Sequence, residues 1–262
     1  MALIDPILLK SELGLLTGRF DVDSLESCDS TNSELMRRAD AGAPVGTVIV
    51  ADAQSAGRGR RGRSWLSAPE TSLTFSILWR FPGPLPKLSG LSLAIGVGLA
   101  RGLEKLGAEG IFLKWPNDVL LQTAGDFSKL AGILVELSAD RRGVQAIIGI
   151  GLNLQPPAGD LPQVAGLSQA VSRLPDRHRV LASILSELHA VFESFAVNGF
   201  SGVQPEWQQR HAWQGDSVQI LSENAEPIFG QCLGVDQNGA LLLETQTGVQ
   251  TIYAGDVSLR RQ

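Results

Sequence analysis

The stretch Thr47-Val48-Ile49-Val50-Ala51-Asp52-Ala53-Gln54-Ser55-Ala56-Gly57-Arg58-Gly59-Arg60-Arg61-Gly62-Arg63-Ser64-Trp65 decides how this chain is read. An apolar run, Thr47–Ala53, reads as a buried strand and leads into glycines at 57, 59 and 62, the spacing of a dinucleotide-binding fingerprint. That fingerprint needs a helix directly after it, because the pyrophosphate rests on the helix N-terminus. The next residues, Ser64-Trp65-Leu66-Ser67-Ala68-Pro69, carry no apolar stripe and give no helix start. The match is a decoy, and a doubly wound parallel sheet is set aside. Gly57 to Arg63 packs four arginines and three glycines into a chain of net charge −5. Glycine permits backbone angles closed to other residues, and arginine presents a planar fork to phosphate or carboxylate. The loop therefore suits a lid over a small anion that also carries a flat base for Trp65. The simpler alternatives are a solvated loop or a patch that attracts nucleic acid without specificity.

The 262 residues, 44% hydrophobic and 19% charged, suit one large domain or one domain with a small appendage. The acidic excess argues against a dedicated DNA binder. Cys28 and Cys232 are far apart and form no C-x-x-C pair, which fits a reducing, cytoplasmic setting and gives no metal site. No apolar run reaches the length that spans a bilayer, and Met1–Lys10 is too short and broken for a secretory signal.

Residues 1–18 read as a weakly amphipathic lead-in, followed by a strand over 20–27. Thr31 with Glu34 reads as a capping box that opens a helix over 32–41. Ser30, Thr31 and Asn32 are thus explained as caps, although a helix start also offers free N–H groups to a ligand. Ser72–Arg80 alternates as a strand, and 88–106 has a helical apolar period. In Ile111-Phe112-Leu113-Lys114-Trp115-Pro116-Asn117-Asp118-Val119-Leu120-Leu121, Lys114 and Asp118 interrupt an apolar strand pair. An ionisable group there is costly unless it is paired or used. For Lys114 the bland alternative is an ion pair with Asp118 or Glu136. Gln122–Ser128 reads as a somewhat extended loop, and Lys129–Glu136 and Val144–Leu152 as antiparallel neighbours. Gly149 and Gly151, spaced by two, share one face: either tight sheet packing or a floor for a ligand.

A Pro-rich turn at 155–158 precedes a helix over 176–197, whose histidines, His178 and His189, read as packed or solvated, as does the isolated His211. From Asp216 short strands take over, at 217–221, 228–235, 240–244 and 250–254, with a hairpin turn at Asp236–Gly239. Residues 1–214 are expected to form the chemical domain and 215–262 a small β-barrel. The fold class is α+β, a mixed and largely antiparallel sheet flanked by helices.

Together, Asp29-Ser30-Thr31-Asn32, Gly57–Trp65, Lys114-Trp115-Pro116-Asn117-Asp118, Lys129–Glu136 and Gly149-Ile150-Gly151-Leu152-Asn153 resemble one family. They occur in the order seen in bacterial biotin–protein ligases, and the likeness runs from about Arg19 to the C-terminus. The resemblance implies a core like that of class II aminoacyl-tRNA synthetases, with an SH3-like C-terminal barrel closing at Gly255–Arg260. It further implies a monofunctional biotin–[acetyl-CoA-carboxylase] ligase, since no helix-turn-helix precedes the catalytic pattern, and no DNA or membrane partner. Biotin and ATP would form biotinyl-5′-AMP, and a lysine of a biotin carboxyl carrier domain would then attack it.

By the same resemblance, Lys114, Arg58 and Arg60 are the catalytic candidates. They would offset the repulsion between carboxylate and α-phosphate, roughly 4 kcal/mol for two charges about 4 Å apart at an effective dielectric of about 20. Biotin would be bound by Ser30, Thr31, Asn32, Gln54, Gly57, Arg58, Gly59, Arg60, Lys114, Gly132, Gly149 and Gly151. Arg60, Arg63, Trp65, Asn117 and Asn153 would face the nucleotide, with Trp65 on adenine. No side-chain metal cage is visible, so Mg²⁺ is expected to arrive on ATP. The oligomeric state is left open, a homodimer being allowed. A lipoate or octanoate ligase or transferase of the same fold is the alternative, and a nucleic-acid-binding module is the alternative outside enzymes.

Overall fold

In the computed structural model, residues 2–157, 163–222, 226–255 and 257–261 are described. Ala158, at the end of the Pro-rich turn, and Asp256, in the closing run, lie outside the described residues. The order is α1 (Pro6–Leu13), β1 (Asp21–Cys28), α2 (Thr31–Asp40), β2 (Thr47–Gln54), β3 (Ser72–Phe81), α3 (Leu91–Glu104), β4 (Ile111–Lys114), β5 (Asp118–Thr123), β6 (Asp126–Asp140) and β7 (Gly143–Asn153). There follow α4 (Arg177–Asn198), α5 (Gln204–Gln209), β8 (Ser217–Ser222), β9 (Ile228–Val235), β10 (Leu241–Thr245), β11 (Gly248–Ile252) and β12 (Val257–Arg261). The first seven strands form one sheet in the order β1-β2-β3-β7-β6-β5-β4. Only β1 and β2 run parallel; the other pairs are antiparallel. The last five make an antiparallel sheet in the order β11-β10-β9-β8-β12.

Alternation along the central strands divides the work between two faces. Phe75, Ile77 and Trp79 of β3 and Ile148, Ile150 and Leu152 of β7 enter the main core. There the Trp79 and Phe81 rings meet Phe192 and Phe195 of α4. Helices α3 and α4 approach closely because a Cβ on Gly102 would lie 2.9 Å from the Ile184 Cα. On the opposite face Leu78 and Ile147 pack with Leu35 of α2, closing only one end of the sheet. The rest of that face carries Ser76, Thr74, Gly149 and Gly151, residues too small or polar to hold a second helix layer. Helix α4 has the length and apolarity of a membrane span, but 56% of its apolar window is buried inside the protein, so its composition is explained by the core.

Several expectations change. The lead-in is a helix, α1, whose Leu9 and Leu13 are buried. The Asp5 N–H donates to His178 Nε2 at 2.8 Å, so that histidine is packed. The Thr31–Glu34 capping box is not formed. Ser30 occupies the N-cap without a side-chain bond, and Glu34 instead accepts from Arg37 and Arg38, each at 2.8 Å. The expected loop over 122–128 is a tight hairpin: Gln122 and Thr123 pair with Phe127 and Asp126, and Ala124 and Gly125 take positive φ at the turn. In the second sheet a fifth strand, Val257–Arg261, pairs with β8.

His211 is buried where the two sheets meet, stacked on Trp207 with ring centroids 4.6 Å apart and with Nδ1 3.8 Å from Cys232 Sγ. Burial pushes its pKa down from 6.5 to about 4. The folded state therefore binds fewer protons than the unfolded chain between those values, and stability present above about pH 6.5 is lost on acidification. Urea unfolding at pH 5 should show about 2 kcal/mol less stability from this group than at pH 7.5. His211→Gln should remove that part of the pH slope while lowering stability at pH 7.5.

Candidate functional site

The uncovered face of the sheet holds a cleft that opens to solvent at its mouth. Its floor is a cross-strand row. Thr74 of β3 stands opposite Gly151 of β7, Gly151 opposite Gly132 of β6, Gly132 opposite Asp118 of β5, and Asp118 opposite Lys114 of β4. The neighbouring row sets Ser76 opposite Gly149 and Gly149 opposite Leu134. Side chains on the central positions would fill the cleft: a Cβ on Gly149 would overlap the Asn32 amide, and one on Gly151 would overlap the Trp65 indole.

One end of the cleft is polar. Ser30, Thr31 and Asn32, freed from capping, are each buried at 3% exposure and reach it from the start of α2. Gln54 Oε1 accepts from the Thr31 N–H at 2.7 Å and the Thr31 hydroxyl at 3.2 Å. Ser76 Oγ lies 2.8 Å from Thr31 Oγ1 and donates to Asn32 Oδ1 at 2.6 Å, and Asn32 Nδ2 donates to Glu136 Oε2 at 2.8 Å.

The other end is cationic. Asp118 Oδ1 is 2.6 Å from Lys129 Nζ, and its Oδ2 is 3.6 Å from Lys114 Nζ. Burial alone would raise the Asp118 carboxyl, but the Lys129 and Lys114 charges outweigh it and hold it below the ordinary carboxylate value. Lys114, pushed down to about 8 by burial, sits at the far end of the row with its amine over the Trp213 ring, 4.7 Å from the centroid.

The arginine stretch closes the cleft as a loop whose ends are tied together. Trp65 N–H donates to the Gly57 carbonyl at 2.9 Å and Gly59 N–H to the Arg63 carbonyl at 2.6 Å, with Arg61 at φ 58° on the tip. The element directly after it is β3 and not a helix, in agreement with setting the dinucleotide fingerprint aside. Arg58 Nη2 meets Glu136 Oε2 at 2.7 Å. Arg60 bonds Asn117 Oδ1 at 3.1 Å and the carbonyl of Gly255, so the loop also touches the chain beyond β11.

Of the residues singled out in the sequence, Ser30, Thr31, Asn32, Gln54, Arg58, Gly59, Arg60, Arg63, Trp65, Asn117, Gly132, Gly149 and Gly151 line this cleft. Three do not. Gly57 sits behind it, packed so closely that a Cβ would lie 2.9 Å from Gln54 Nε2. Asn153 donates to the Ala165 carbonyl at 3.1 Å and pins the following loop to β6. Lys114 stands behind Asp118, in the ion pair that was its bland reading. Trp65 is also placed differently: its indole lies on the glycine floor, with Nε1 buried and without a partner.

The lysine that reaches the cleft is Lys129, which the sequence reading did not select. Simple alternation puts it on the core face with Ala131 and Ile133. However, Val119 pairs with Ala131 while Leu120 pairs with Lys129, so Leu130 has no partner. This bulge re-aims Lys129 onto the face of Gly132.

Residues 25–153 match the biotin/lipoate A/B protein ligase family, and residues 215–260 match the biotin protein ligase C-terminal domain. A bifunctional ligase/repressor of Escherichia coli is 37% identical over 99% of this chain and 81% of its own length. A biotin–[acetyl-CoA-carboxylase] ligase of Mycobacterium tuberculosis is 31% identical over 94% and 91%. Among solved structures, a biotin protein ligase of Aquifex aeolicus in complex with biotin and ATP superposes with a TM-score of 0.77 at 31% identity, covering 93% of this chain and 99% of that one. The chain belongs to the biotin/lipoate A/B protein ligase family.

Two outcomes check this geometry. Lys129→Gln should lower the rate of adenylate formation by about a hundredfold, the usual effect of removing one charge-stabilising group, and Lys114→Gln by clearly less, both read by pyrophosphate release. Ligand entry should also change the surroundings of Trp65, so biotin should shift tryptophan emission in the wild type but much less in Trp65→Phe.

Proposed function

We propose that the chain is an ATP-dependent biotin–protein ligase that makes biotinyl-5′-AMP and passes biotin to a lysine of a carboxyl carrier domain. The observation that carries this reading is one cleft with a hydrogen-bonding end, a side-chain-free floor and a cationic end, in a chain of that family. Ser30, Thr31, Asn32 and Gln54 offer the mixed donors and acceptors that a ureido ring requires. The floor accepts the flat ring and acyl chain. Arg58, Arg60 and Lys129 meet the anions.

In the first step a carboxylate oxygen of biotin attacks the α-phosphorus, and the bond to the β-phosphate bridging oxygen breaks to release pyrophosphate. The arginines and Lys129 offset the repulsion of the two approaching anions, so catalysis is positioning and charge stabilisation. In the second step the carrier amine attacks the acyl carbon, AMP leaves, and the amine loses a proton. Asn117 and Arg63, at the cationic end, are assigned to the nucleotide. Trp65 can cover adenine only after leaving the floor.

Among the described residues no three carboxylate, histidine or cysteine groups converge to hold a metal. Asp118 and Glu136 are already engaged by cations. These residues fit a magnesium ion held by phosphate oxygens and water, not a protein cage, and no step here runs through it. In this reading residues 1–214 carry the chemistry, 215–262 form an appended barrel, and the enzyme works in the cytoplasm with neither DNA nor membrane as partner.

A lipoyl or octanoyl ligand has no ureido group and would set apolar atoms against the polar end at Thr31, Asn32 and Gln54, which costs affinity. ATP–pyrophosphate exchange should therefore be stimulated by biotin and not by lipoate, and a carrier domain should gain the mass of one biotinyl group when ATP is present. Exchange driven by lipoate alone overturns the proposal.

A further inference from the structure

Glu136 is on the cleft face of β6, two residues beyond Leu134, and one of its oxygens serves two partners. Oε2 accepts from Asn32 Nδ2 at 2.8 Å and from Arg58 Nη2 at 2.7 Å. Asn32 belongs to the recognition end of the cleft and Arg58 to the lid, so this carboxylate is where the two meet. The geometry points to Glu136 as a positioning residue that fixes the Asn32 amide in one orientation and holds Arg58 of the lid over the cleft.

A carboxylate can only accept, so the Asn32 edge facing Glu136 must be its NH₂. The carbonyl edge then faces Ser76, whose hydroxyl is fully buried and spends its proton on Asn32 Oδ1 at 2.6 Å. Ser76 Oγ also lies 2.8 Å from Thr31 Oγ1, whose own proton goes to Gln54 Oε1. One charge thereby sets the direction of a hydrogen-bond chain from Glu136 through Asn32 to Ser76, and networks of this kind are worth more together than pair by pair. With the chain reversed, the Asn32 carbonyl would face a carboxylate. On the lid side, a guanidinium can keep Nη2 on Glu136 while its other nitrogens meet a ligand anion. Glu136 thus places Arg58 without consuming it.

The inference rests on the biotin-ligase reading and concerns how that site is held. The test compares biotin dissociation, followed with labelled biotin and an unlabelled chase, in full-length wild type, Glu136→Gln, Arg58→Ala and the double variant. Glutamine can offer an N–H to Asn32, so the amide is no longer fixed, and the charge-assisted bond to Arg58 is lost. Release should speed up about tenfold in Glu136→Gln, the effect of losing one such bond, with little change in the KM for ATP. The double variant should release biotin faster than Arg58→Ala only by the part that acts through Asn32, and by less than the product of the two single effects, because Glu136 and Arg58 act as a unit.

A polarity swap reads the Asn32 side. Asn32→Asp alone sets two carboxylates face to face, and adding Glu136→Gln restores one hydrogen bond and should recover part of the lost biotin affinity. Should Glu136→Gln not fold, Glu136→Asp, which keeps the charge but shortens the reach, should also speed release. Unchanged release in Glu136→Gln, multiplicative effects in the double variant, or no recovery in the swap overturns the inference. Failure of the wild-type chain to bind biotin overturns the underlying reading instead.

Discussion

Everything about the site depends on one steric constraint where β7 and β6 face each other: a side chain on Gly151 would overlap the Trp65 indole, and one on Gly132 would crowd the same ring at 3.2 Å. The sheet's other face is spent on the core, where Ile148, Ile150 and Leu152 pack. A bulky residue at either glycine would join a second apolar layer and close the cleft. Their bareness leaves a flat backbone surface with recognition groups at one end and charges at the other. The Trp65 indole covers this surface, which buries apolar area but leaves its N–H without a partner. Such an arrangement favours exchange, since a ligand that replaces the indole also relieves a buried donor that has no acceptor.

The charges form a consistent pattern. A chain of net charge −5 gathers three arginines and a lysine around one cleft, and the innermost cations are already paired: Lys129 with Asp118 and Arg58 with Glu136. Cations brought together without such partners would repel, and the loop would be driven outward. Asp118 has the deeper task, since it lies between two lysines and depends on both to stay ionised in a buried position. Lys114 pairs with Asp118, and that explains how a buried amine is tolerated in a strand.

Legibility varied with how local the cause was. The strands, α4 and the glycine floor could be read because alternation, helical period and spacing by two are properties of the sequence alone. The dinucleotide fingerprint could be dismissed for the same reason. The errors arose where a distant partner decides. Thr31 looks like a cap, yet its hydroxyl has Gln54 and Ser76 as partners, and neither is near it in sequence. Lys129 looks like a core-face position until the unpaired Leu130 shifts the phase, and a bulge depends on the strand opposite. Lys114 drew notice because it breaks an apolar run, which reveals a constraint but not whether the constraint is chemical or supportive. The strand Val257–Arg261 was hidden because its pairing with β8 joins residues far apart in sequence.

The pairing of the lid also bears on how an adenylate could be kept without a high cost of closing. A lid that buried free arginines would have to strip water from each charge before meeting the ligand. Arg58 and Arg60 are instead already held at the cleft by Glu136, Asn117 and the Gly255 carbonyl. Part of the ordering and desolvation is thus complete before the ligand arrives. Binding then adds contacts to guanidinium groups that are in place, and the differential affinity between open and closed loop is what shifts the balance. The Arg60 contact with Gly255 extends this to the C-terminal sheet: whatever displaces the segment after β11 also removes one of the lid's supports.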